Sequence, residues 1–413
     1  MAHAPTPSEP RGTDYTERPL EGLRVLELGS LIAGPFATRL LADFGAEVIK
    51  VETPGEGDPL RTWRYVDAQT GMSLWWALQS RNKKLITLNL KHAEGLALAK
   101  RLAAASDILV ENFRPGMLEK LGLGPEVLHE LNPGLILVRV SGFGQTGPSR
   151  DQPGFGSVGE AMGGIRYITG EPDQTPVRPN ISLGDSLAAL YAVIGALMAL
   201  RARDLRGKGQ VVDVALYEAV FSLLESTLPE YDVAGIIRER AGASLPGIAP
   251  SNTYRTGDGS YIVIGGNSDA IFKRLMRLIG RPELAENPRY WTNKERAEHA
   301  AELDALIEGW TQHYPLREIL LRLKEAQIPA GPIYSIADIA NDEQYRAREM
   351  ILPAQIEGIG TVAMPGLVPK LSQTPGEIEW YGGALGTHNE EVYSELLSIS
   401  PEEIERLARQ GVI

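Results

Sequence analysis

The pattern of apolar and polar positions near the start of the chain predicts a strand, a turn, a helix and a second strand. In LRVLELGSLIAGPFATRLLADFGAEVIKVETP (residues 23–54), Val25, Leu26 and Leu28 form a short apolar run. Apolar residues then recur at helical spacing from Phe36 to Phe44, and Gly45 ends the helix before a second strand that starts with Val48, Ile49 and Val51. Such a βαβ unit implies a parallel sheet with a right-handed crossover.

The same alternation continues over about 130 residues. KLITLNL, DILVENF and LILVRVSGFG predict strands, and KHAEGLALAKRLAAAS and GPEVLHELN predict helices. The fold class is therefore α/β, with a large domain built on a Rossmann-like parallel sheet. Ligands of such sheets bind at the carboxyl ends of the strands, which here are residues 29–35, 52–58, 111–114 and 141–145.

The character of the chain changes near residue 225. APSNTYRTGDGSYIVIGG predicts a hairpin that turns at Gly257–Gly259, and helical patterns cover Asp269–Gly280 and Glu295–His313. This stretch predicts a smaller α+β domain. At the other end, residues 1–19 are Pro-rich and polar, which is typical of a disordered tail and not of a signal peptide.

Composition narrows the possible chemistry. The 413 residues carry a formal net charge of −12 and no cysteine, which argues against a nucleic-acid partner and excludes disulfides and thiol nucleophiles. The six histidines are scattered, so no metal site is expected. The longest apolar run, Leu187–Leu200, is shorter than a bilayer span, so no membrane partner is expected. We expect the protein in the cytoplasm or an organelle matrix.

One carboxylate stands at the front of the most apolar helical stretch, in NISLGDSLAALYAVIGALMALRAR (residues 180–203). Asp185 is either a helix N-cap or a nucleophile. The helix dipole keeps a carboxylate there ionised, and Gly184 leaves space for a substrate. An ionised carboxylate can attack a thioester or another activated carbonyl.

Three further motifs each allow two interpretations. GSLIAGP (29–35) lacks the glycine spacing of a dinucleotide loop and has Pro35 where a P-loop needs lysine, so it is an anion-binding turn or simply a tight turn. ENFRPG (111–116) is a ligand contact through Asn112, Phe113 and Arg114, or an ordinary strand end. RNKKL (81–85) is a solvated edge or a phosphate contact.

Together, many stretches resemble the family III CoA-transferases, in order and over nearly the whole chain. They are LEGLRVLELGSLIAGPFATRLLADFGAEVIKVE, GDPLR, RNKKLITLNL, DILVENFRPG, SGFGQTGP, LGDSLAALYAVIGAL, GKGQVVDVALYEAV, IPAGPIYS and LGTHNEE. The resemblance implies an interlocked homodimer. It also implies a large CoA-binding domain of residues 20–225 plus 340–413 and a small domain of residues 226–339.

The resemblance also implies residue roles. Asp185 matches the family nucleophile, which passes through an aspartyl anhydride and an aspartyl-CoA thioester. The positions that match CoA contacts, with two plausible neighbours, are Ala33, Asn112, Phe113, Lys120, Arg61 and Lys83. CoA and acyl-CoA enter as substrates, and no tightly bound cofactor is expected. The shielding of an anhydride from water requires a closed flap, for which Gly265 and Gly266 are candidates, although an ordinary strand end explains them equally well.

The acyl substrate is specified less sharply. Trp63 and Trp75 match aromatic positions of the acyl site, or else pack in the core, and Ile32 replaces a glutamine of the oxalate-using relative. GQTGP, PVRPN and YIVIGG look most like members that move CoA between succinyl-CoA and dicarboxylates such as malate, citramalate or glutarate. Arg166 or Arg178 is a candidate for binding the distal carboxylate.

Two alternatives remain open at this stage. The related α-methylacyl-CoA racemases need a proton-shuttling histidine where this chain has Phe155, which favours transfer over racemisation. A non-catalytic CoA-binding protein would keep the sheet motifs without needing Asp185.

Overall fold

The structure, a computed structural model, describes residues 18–413, so residues 1–17 of the predicted tail lie outside the described chain. The described residues divide into two units. The first contains the described residues up to Ile165, together with Pro179–Glu225 and Arg346–Ile413, and the second contains Arg166–Arg178 and Ser226–Tyr345.

The first unit is built on a six-stranded sheet. Its strands are β1 (Arg24–Glu27), β2 (Glu47–Glu52), β3 (Lys83–Thr87), β4 (Ile108–Glu111), β5 (Ile136–Ser141) and β6 (Val211–Ala215). All neighbouring strands pair in parallel, in the order β3-β2-β1-β4-β5-β6. The predicted parallel α/β sheet is thus confirmed. The strand order reverses between β1 and β4, which is where open sheets of this kind bind ligands.

Helices cover both faces of this sheet. They are α1 (Ala33–Asp43), α2 (Leu74–Gln79), α3 (Ala93–Ala104), α4 (Met117–Lys120), α5 (Pro125–Leu131), α6 (Gly156–Met162), α7 (Leu183–Arg206) and α8 (Leu216–Phe221). Alternate strand residues face opposite sides. Leu26 and Leu109 pack in the cluster that includes α3, whereas Val25 and Ile108 pack in the cluster that includes α1 and α7. Burial on both faces explains why apolar residues occur at consecutive strand positions, and the charged residues among them need buried partners.

Helix α7 is longer than its apolar run suggests. It spans 24 residues, so by length and composition it could cross a membrane, and the argument from a short apolar run was wrong. Length is weak evidence here, because core helices pass the same test. A stripe of small residues packs it against the sheet: Ala188, Ala189, Ala192, Ala196 and Ala199.

The second unit has its own sheet and core. Its elements are α9 (Thr227–Ala234), β7 (Ser251–Arg255), β8 (Tyr261–Gly265), α10 (Asp269–Leu278), α11 (Pro282–Ala285), α12 (Asn293–Glu298), α13 (Ala300–Thr311), α14 (Leu316–Glu325), β9 (Ala330–Pro332) and α15 (Ile336–Asn341), and the boundary falls within α16 (Glu343–Ala347). The predicted hairpin is confirmed as the antiparallel pair β7–β8. The predicted helix Glu295–His313 is two helices that meet at His299.

The segment Arg166–Arg178 groups with this second unit, although the sequence boundaries place it in the large domain. The reason is a set of hydrogen bonds from one side chain. The guanidinium of Arg240 donates to the carbonyl oxygens of Tyr167, Glu171 and Pro172 at 3.0–3.2 Å.

The C-terminal segment returns to the first unit and covers the free edge of its sheet. It contains the hairpin β10 (Ile351–Ile356) and β11 (Gly360–Pro365), then α17 (Asn389–Glu391), which continues into a π-helical turn, and α18 (Pro401–Arg409). His388 Nδ1 accepts a hydrogen bond from Leu85 N at 2.9 Å, and Asn389 Oδ1 accepts one from Thr87 N at 2.8 Å. The LGTHNEE motif therefore satisfies edge-strand β3.

Buried charges tie the central strands together. Glu27 Oε1 lies 2.9 Å from Lys50 Nζ, and Glu27 Oε2 lies 2.8 Å from Lys83 Nζ. Lys50 Nζ also lies 2.7 Å from Asp58, and all four side chains are almost fully buried. Burial by itself would raise the pKa of Glu27, but Lys50 and Lys83 together lower it below its usual range. We call these four residues the buried charge network.

Removal of the shared carboxylate should destabilise the first unit strongly. Glu27→Gln leaves two buried ammonium groups with Asp58 alone, and an unbalanced buried charge typically costs about 3–5 kcal/mol. We expect the free energy of unfolding, measured by urea denaturation, to fall by this amount. The control, Glu403→Gln, breaks an exposed pair with Arg406 on α18 and should leave the midpoint nearly unchanged. Equal shifts for the two variants would contradict the structural role of the network.

Candidate active site

The turn after β1 lies at the switch point of the sheet. Asn112, directly after β4, reaches across to it: Asn112 Oδ1 accepts from Ser30 N at 2.9 Å, and Asn112 Nδ2 donates to Ser30 O at 2.8 Å. A Cβ on Gly29 would lie only 2.9 Å from Asn112 Oδ1, so glycine is needed there. Leu31 follows in the left-handed region, at φ 66°. The two motifs GSLIAGP and ENFRPG therefore form one structure.

A cavity of 170 Å³ opens beside this turn, at the carboxyl ends of the first four strands. We call it the strand-edge cavity. Its lining is Leu28, Gly29, Ser30, Lys50, Val51, Glu52, Thr53, Gly57, Asp58, Leu88, Asn89, Leu90, Lys91 and Phe113. Lys91 is exposed there, and its Nζ forms no ion pair with the described residues. The strand ends and the Lys91 ammonium suit an anionic ligand, while Ser30 N and Leu31 N of the turn are held within the protein by Asn112 Oδ1 and Asp58.

Two of the residues predicted to contact CoA lie at this cavity or at the turn beside it. Phe113 lines it, and Asn112 holds its turn. Ala33 is buried at the start of α1, and Lys120 is exposed at the end of α4. The geometry at these four positions is compatible with contacts to CoA.

Two predicted contacts are occupied by the protein itself. Lys83 is buried, bonded to Glu27 and to the carbonyl of Pro35, and burial with the charge of Lys50 lowers its pKa to about 8. Arg61 forms a bidentate salt bridge with Glu52, in which Nε and one Nη each donate to a different carboxylate oxygen at 2.7 Å. The structure therefore does not favour direct contact between CoA and the Lys83 ammonium, and Arg61 acts first as a partner of Glu52.

The whole RNKKL motif is structural. Arg81 donates hydrogen bonds to both carboxylate oxygens of Asp43, at 2.8 and 2.6 Å. Lys84 forms salt bridges with Glu47 and Glu391. Since Arg81 and Lys83 are buried, neither the solvated edge nor the phosphate contact describes the motif.

Asp185 lies inside the first turn of α7. The cap position belongs to Ser182, and Asp185 is the third residue of the helix, so the N-cap interpretation of Asp185 was wrong. Its side chain is half-buried, and its position keeps it within the favourable field of the helix N-terminus.

Glycine creates the space for this carboxylate. A Cβ on Gly156, the first residue of α6, would lie 2.0 Å from Asp185 Oδ2. A Cβ on Gly184 would lie 2.7 Å from Gly156 O, so the two helix starts touch through backbone. Gly184 N also donates to the buried Glu160, at 3.3 Å. Residue types at two helix starts thus fix where the Asp185 carboxylate lies.

A second cavity, of 370 Å³, borders the same helix start. We call it the α7 cavity. It is lined by Ile32, Phe36, Arg39, Arg64, Trp75, Gln79, Asn180, Ile181, Ser182 and Ser186. Ser182 and Ser186 lie one helical turn apart, with Asp185 between them in sequence. Of the predicted acyl-site residues, Ile32 and Trp75 line this cavity, and Trp63 packs against Trp75 with ring centroids 6.2 Å apart.

The remaining predicted residues lie elsewhere. Phe155 precedes α6 and is 65% exposed. Gly265 and Gly266 belong to the second unit, where their N–H groups donate to the carbonyls of Pro329 and Pro250. These bonds favour a strand end over a mobile flap. Arg166 and Arg178 also belong to the second unit.

Three cavity cations were missed from sequence. Lys91 lies four residues after the end of β3, and this position near a strand end was the available signal. Arg39 lies in mid-helix, and Arg64 lies in an irregular segment. No local pattern marks either of these two as a cavity residue.

Comparisons with known proteins agree on one family. A family model described as CoA-transferase family III matches residues 20–389. A succinyl-CoA–D-citramalate CoA-transferase of Chloroflexus aurantiacus is 53% identical, covering 96% of this chain and 98% of the relative. The succinyl-CoA–L-malate CoA-transferase beta subunit of the same species is 44% identical, covering 96% and 99%. A succinyl-CoA:glutarate CoA-transferase of Mus musculus is 34% identical, covering 96% and 90%.

A solved structure shares the fold. A CaiB/BaiF family protein from Brucella suis superposes with a TM-score of 0.81 at 36% identity, covering 92% of this chain and 99% of that one.

A methyl group at Gly156 should disrupt the site without unfolding the protein. Gly156→Ala places Cβ on the Asp185 carboxylate, and a shift of about 1 Å in a reacting group costs about 100-fold in rate. We expect CoA transfer from succinyl-CoA, the donor named for these relatives, to fall by this factor. Gly309→Ala is the control, because a Cβ inside α13 meets nothing within 4 Å. Retention of activity within twofold by Gly156→Ala would contradict this geometry.

Proposed function

Since the chain belongs to CoA-transferase family III, we propose that it moves CoA from succinyl-CoA to a dicarboxylate acceptor of the malate, citramalate or glutarate type. The observation that carries this proposal is the Asp185 carboxylate. It lies in the first turn of α7, has space provided by two glycines, and lies in sequence between Ser182 and Ser186, which line the α7 cavity.

The chemistry follows from one carboxylate. Asp185 attacks the thioester carbonyl of succinyl-CoA, the C–S bond breaks, and an aspartyl–succinyl anhydride and CoA thiolate form. The thiolate attacks the aspartyl carbonyl, which releases succinate and leaves an aspartyl-CoA thioester. The acceptor carboxylate repeats these steps in reverse and leaves with CoA. Every nucleophile and leaving group is an anion, so no proton transfer is required.

The absence of proton transfer fits the residue beside the site. Phe155 cannot exchange a proton, and it directly precedes the Gly156 that contacts Asp185. A racemase needs an acid–base pair across the α-carbon. The phenyl ring therefore supports transfer over racemisation.

The strand-edge cavity supplies the features that CoA needs. The ammonium of Lys91 suits a phosphate group, whereas Ser30 N and Leu31 N of the turn already donate to Asn112 and Asp58. Lys120 and the ring of Phe113 suit the rest of the nucleotide, by charge and by stacking. The same turn continues to Ile32 in the α7 cavity, so it separates a CoA region from an acyl region.

We propose that the chain acts as a homodimer. One face of α7 is exposed and apolar, and beside it β6 forms the edge of the sheet. The exposed side chains are Leu190, Tyr191, Ile194, Leu197 and Met198. A patch of this kind on a helix marks an interaction surface.

Chemical trapping tests the nucleophile. After incubation with succinyl-CoA, hydroxylamine should convert an aspartyl thioester or anhydride at Asp185 into a hydroxamate, which peptide mass spectrometry can locate. Asp185→Asn should lose both the label and at least about 1000-fold of the transfer rate.

The control is Asp151→Asn, an exposed carboxylate in the same unit. Transfer that persists in Asp185→Asn with no label on the wild-type aspartate would reject covalent catalysis. Absence of transfer in the wild type would favour a CoA-binding protein.

Light scattering after size exclusion tests the dimer. At micromolar concentration we expect a mass of twice the 44.9 kDa chain. Ile194→Asp places a charge on the exposed α7 face and should increase the monomer fraction. A monomeric wild type would refute the dimer.

A further inference from the structure

A dicarboxylate brings a second negative charge into the acyl region, and this charge needs a partner there. Burial of an ionised carboxylate without a cation or several donors is strongly unfavourable. This inference rests on the proposed function, because only a dicarboxylate substrate has a distal carboxylate. Of the described residues that line the α7 cavity, the only charged ones are Arg39 and Arg64.

Arg64 has its charge available. It is exposed, and no carboxylate of the described residues pairs with it. Its guanidinium carbon lies 5.4 Å from the ring centroid of Trp75, which also lines the cavity. A cation held over an aromatic face keeps its N–H donors for another ligand.

The backbone at Arg64 is strained. Its φ is 63°, in the left-handed region that long side chains rarely adopt. Strain of this kind in a non-glycine residue concentrates at functional sites. A glycine would suit the backbone better, so the side chain is the reason for arginine at this position.

Arg39 adds a second positive charge to the cavity wall. Its side chain is only 14% exposed, and its Nε lies 4.0 Å from Asp43, beyond hydrogen-bonding distance. Asp43 is already held through both oxygens by Arg81, so Arg39 remains incompletely neutralised. Burial, with the nearby Arg81, lowers the pKa of Arg39 to about 10, which still leaves it protonated at neutral pH.

We propose that Arg64 binds the distal carboxylate of the dicarboxyl acyl group in the α7 cavity, within the positive field of Arg39. The reacting carboxyl then lies toward the first turn of α7, which contributes Ser182 and Ser186 to the cavity lining and holds Asp185 between them in sequence. Arg64 thereby selects dicarboxylates over monocarboxylates. This differs from the sequence-based candidates Arg166 and Arg178, which belong to the second unit.

The test compares two acyl classes in three variants. For wild type, Arg64→Gln, Arg64→Lys and Arg64→Gly, kcat/KM is measured with succinyl-CoA plus glutarate or malate, and with butyryl-CoA plus acetate. Loss of a charge partner should lower kcat/KM for the dicarboxylates by at least ~30-fold in Arg64→Gln and leave the monocarboxylate rate unchanged or higher. Lysine should restore part of the loss.

The Arg64→Gly variant distinguishes a loss of the charge from a loss of folding stability. Glycine adopts φ 63° without strain, so this variant should be at least as stable as the wild type and still lose dicarboxylate selectivity. The matched control is Arg409→Gln, an exposed arginine on α18 of the same unit, which should change neither acyl class.

The outcomes separate the two proposals. Equal effects of Arg64→Gln on both acyl classes, or none on either, would overturn the role of Arg64 while the dicarboxylate function stands. A wild type that transfers CoA only between monocarboxylates would overturn the proposed function, and the inference with it.

Discussion

The buried charge network fixes the frame on which the site depends. Glu27 of β1 forms salt bridges with Lys50 of β2 and with Lys83 of β3. Lys50 forms a further salt bridge with Asp58. Asp58 then accepts hydrogen bonds from the turn at Leu31, while Lys50 donates to Gly29 O. Such a network contributes little net stability compared with an apolar core, but each member is costly to remove alone. It holds the turn that lies between the two cavities.

Within this network the two buried lysines differ in the direction of their pKa shifts. Lys50 is paired with two carboxylates, and although burial would lower its pKa, the two carboxylates raise it. Lys83 shares Glu27 with Lys50, and burial lowers its pKa to about 8. Two lysines of one kind in one network therefore hold their protons with different strength, because the number of carboxylates beside each differs. Neither ammonium is left for a ligand.

The regular elements were predictable because their signals are local. Apolar runs and helical spacing located β1, α1 and β2, and the glycines near Asp258 located the β7–β8 hairpin. The roles of the motifs were harder to predict, because the sequence of a motif does not show which distant residues it contacts. RNKKL and LGTHNEE bind other parts of the chain about 40 and 300 residues away, through Asp43 and the β3 backbone. Asp185 was located but not its position within the helix, since α7 starts two residues earlier, at Leu183, and Asp185 lies in its first turn beside Gly156.

Charge balance separates the structural cations from those open to a ligand. In a chain of net charge −12 carboxylates outnumber cations, yet exposed cations such as Lys91 and Lys120 form no ion pair with the described residues, so a missing partner is informative only for a cation that lines a cavity. Lys50, Arg61 and Arg81 each have carboxylate partners at 2.6–2.7 Å. Among the residues that the structure describes, no carboxylate pairs with Arg64, and Arg39 lies beside an aspartate that is already paired with Arg81. A surplus of positive charge at one cavity of an acidic protein is most stable when an anion completes it, and a substrate with two carboxylates brings that anion each time it binds.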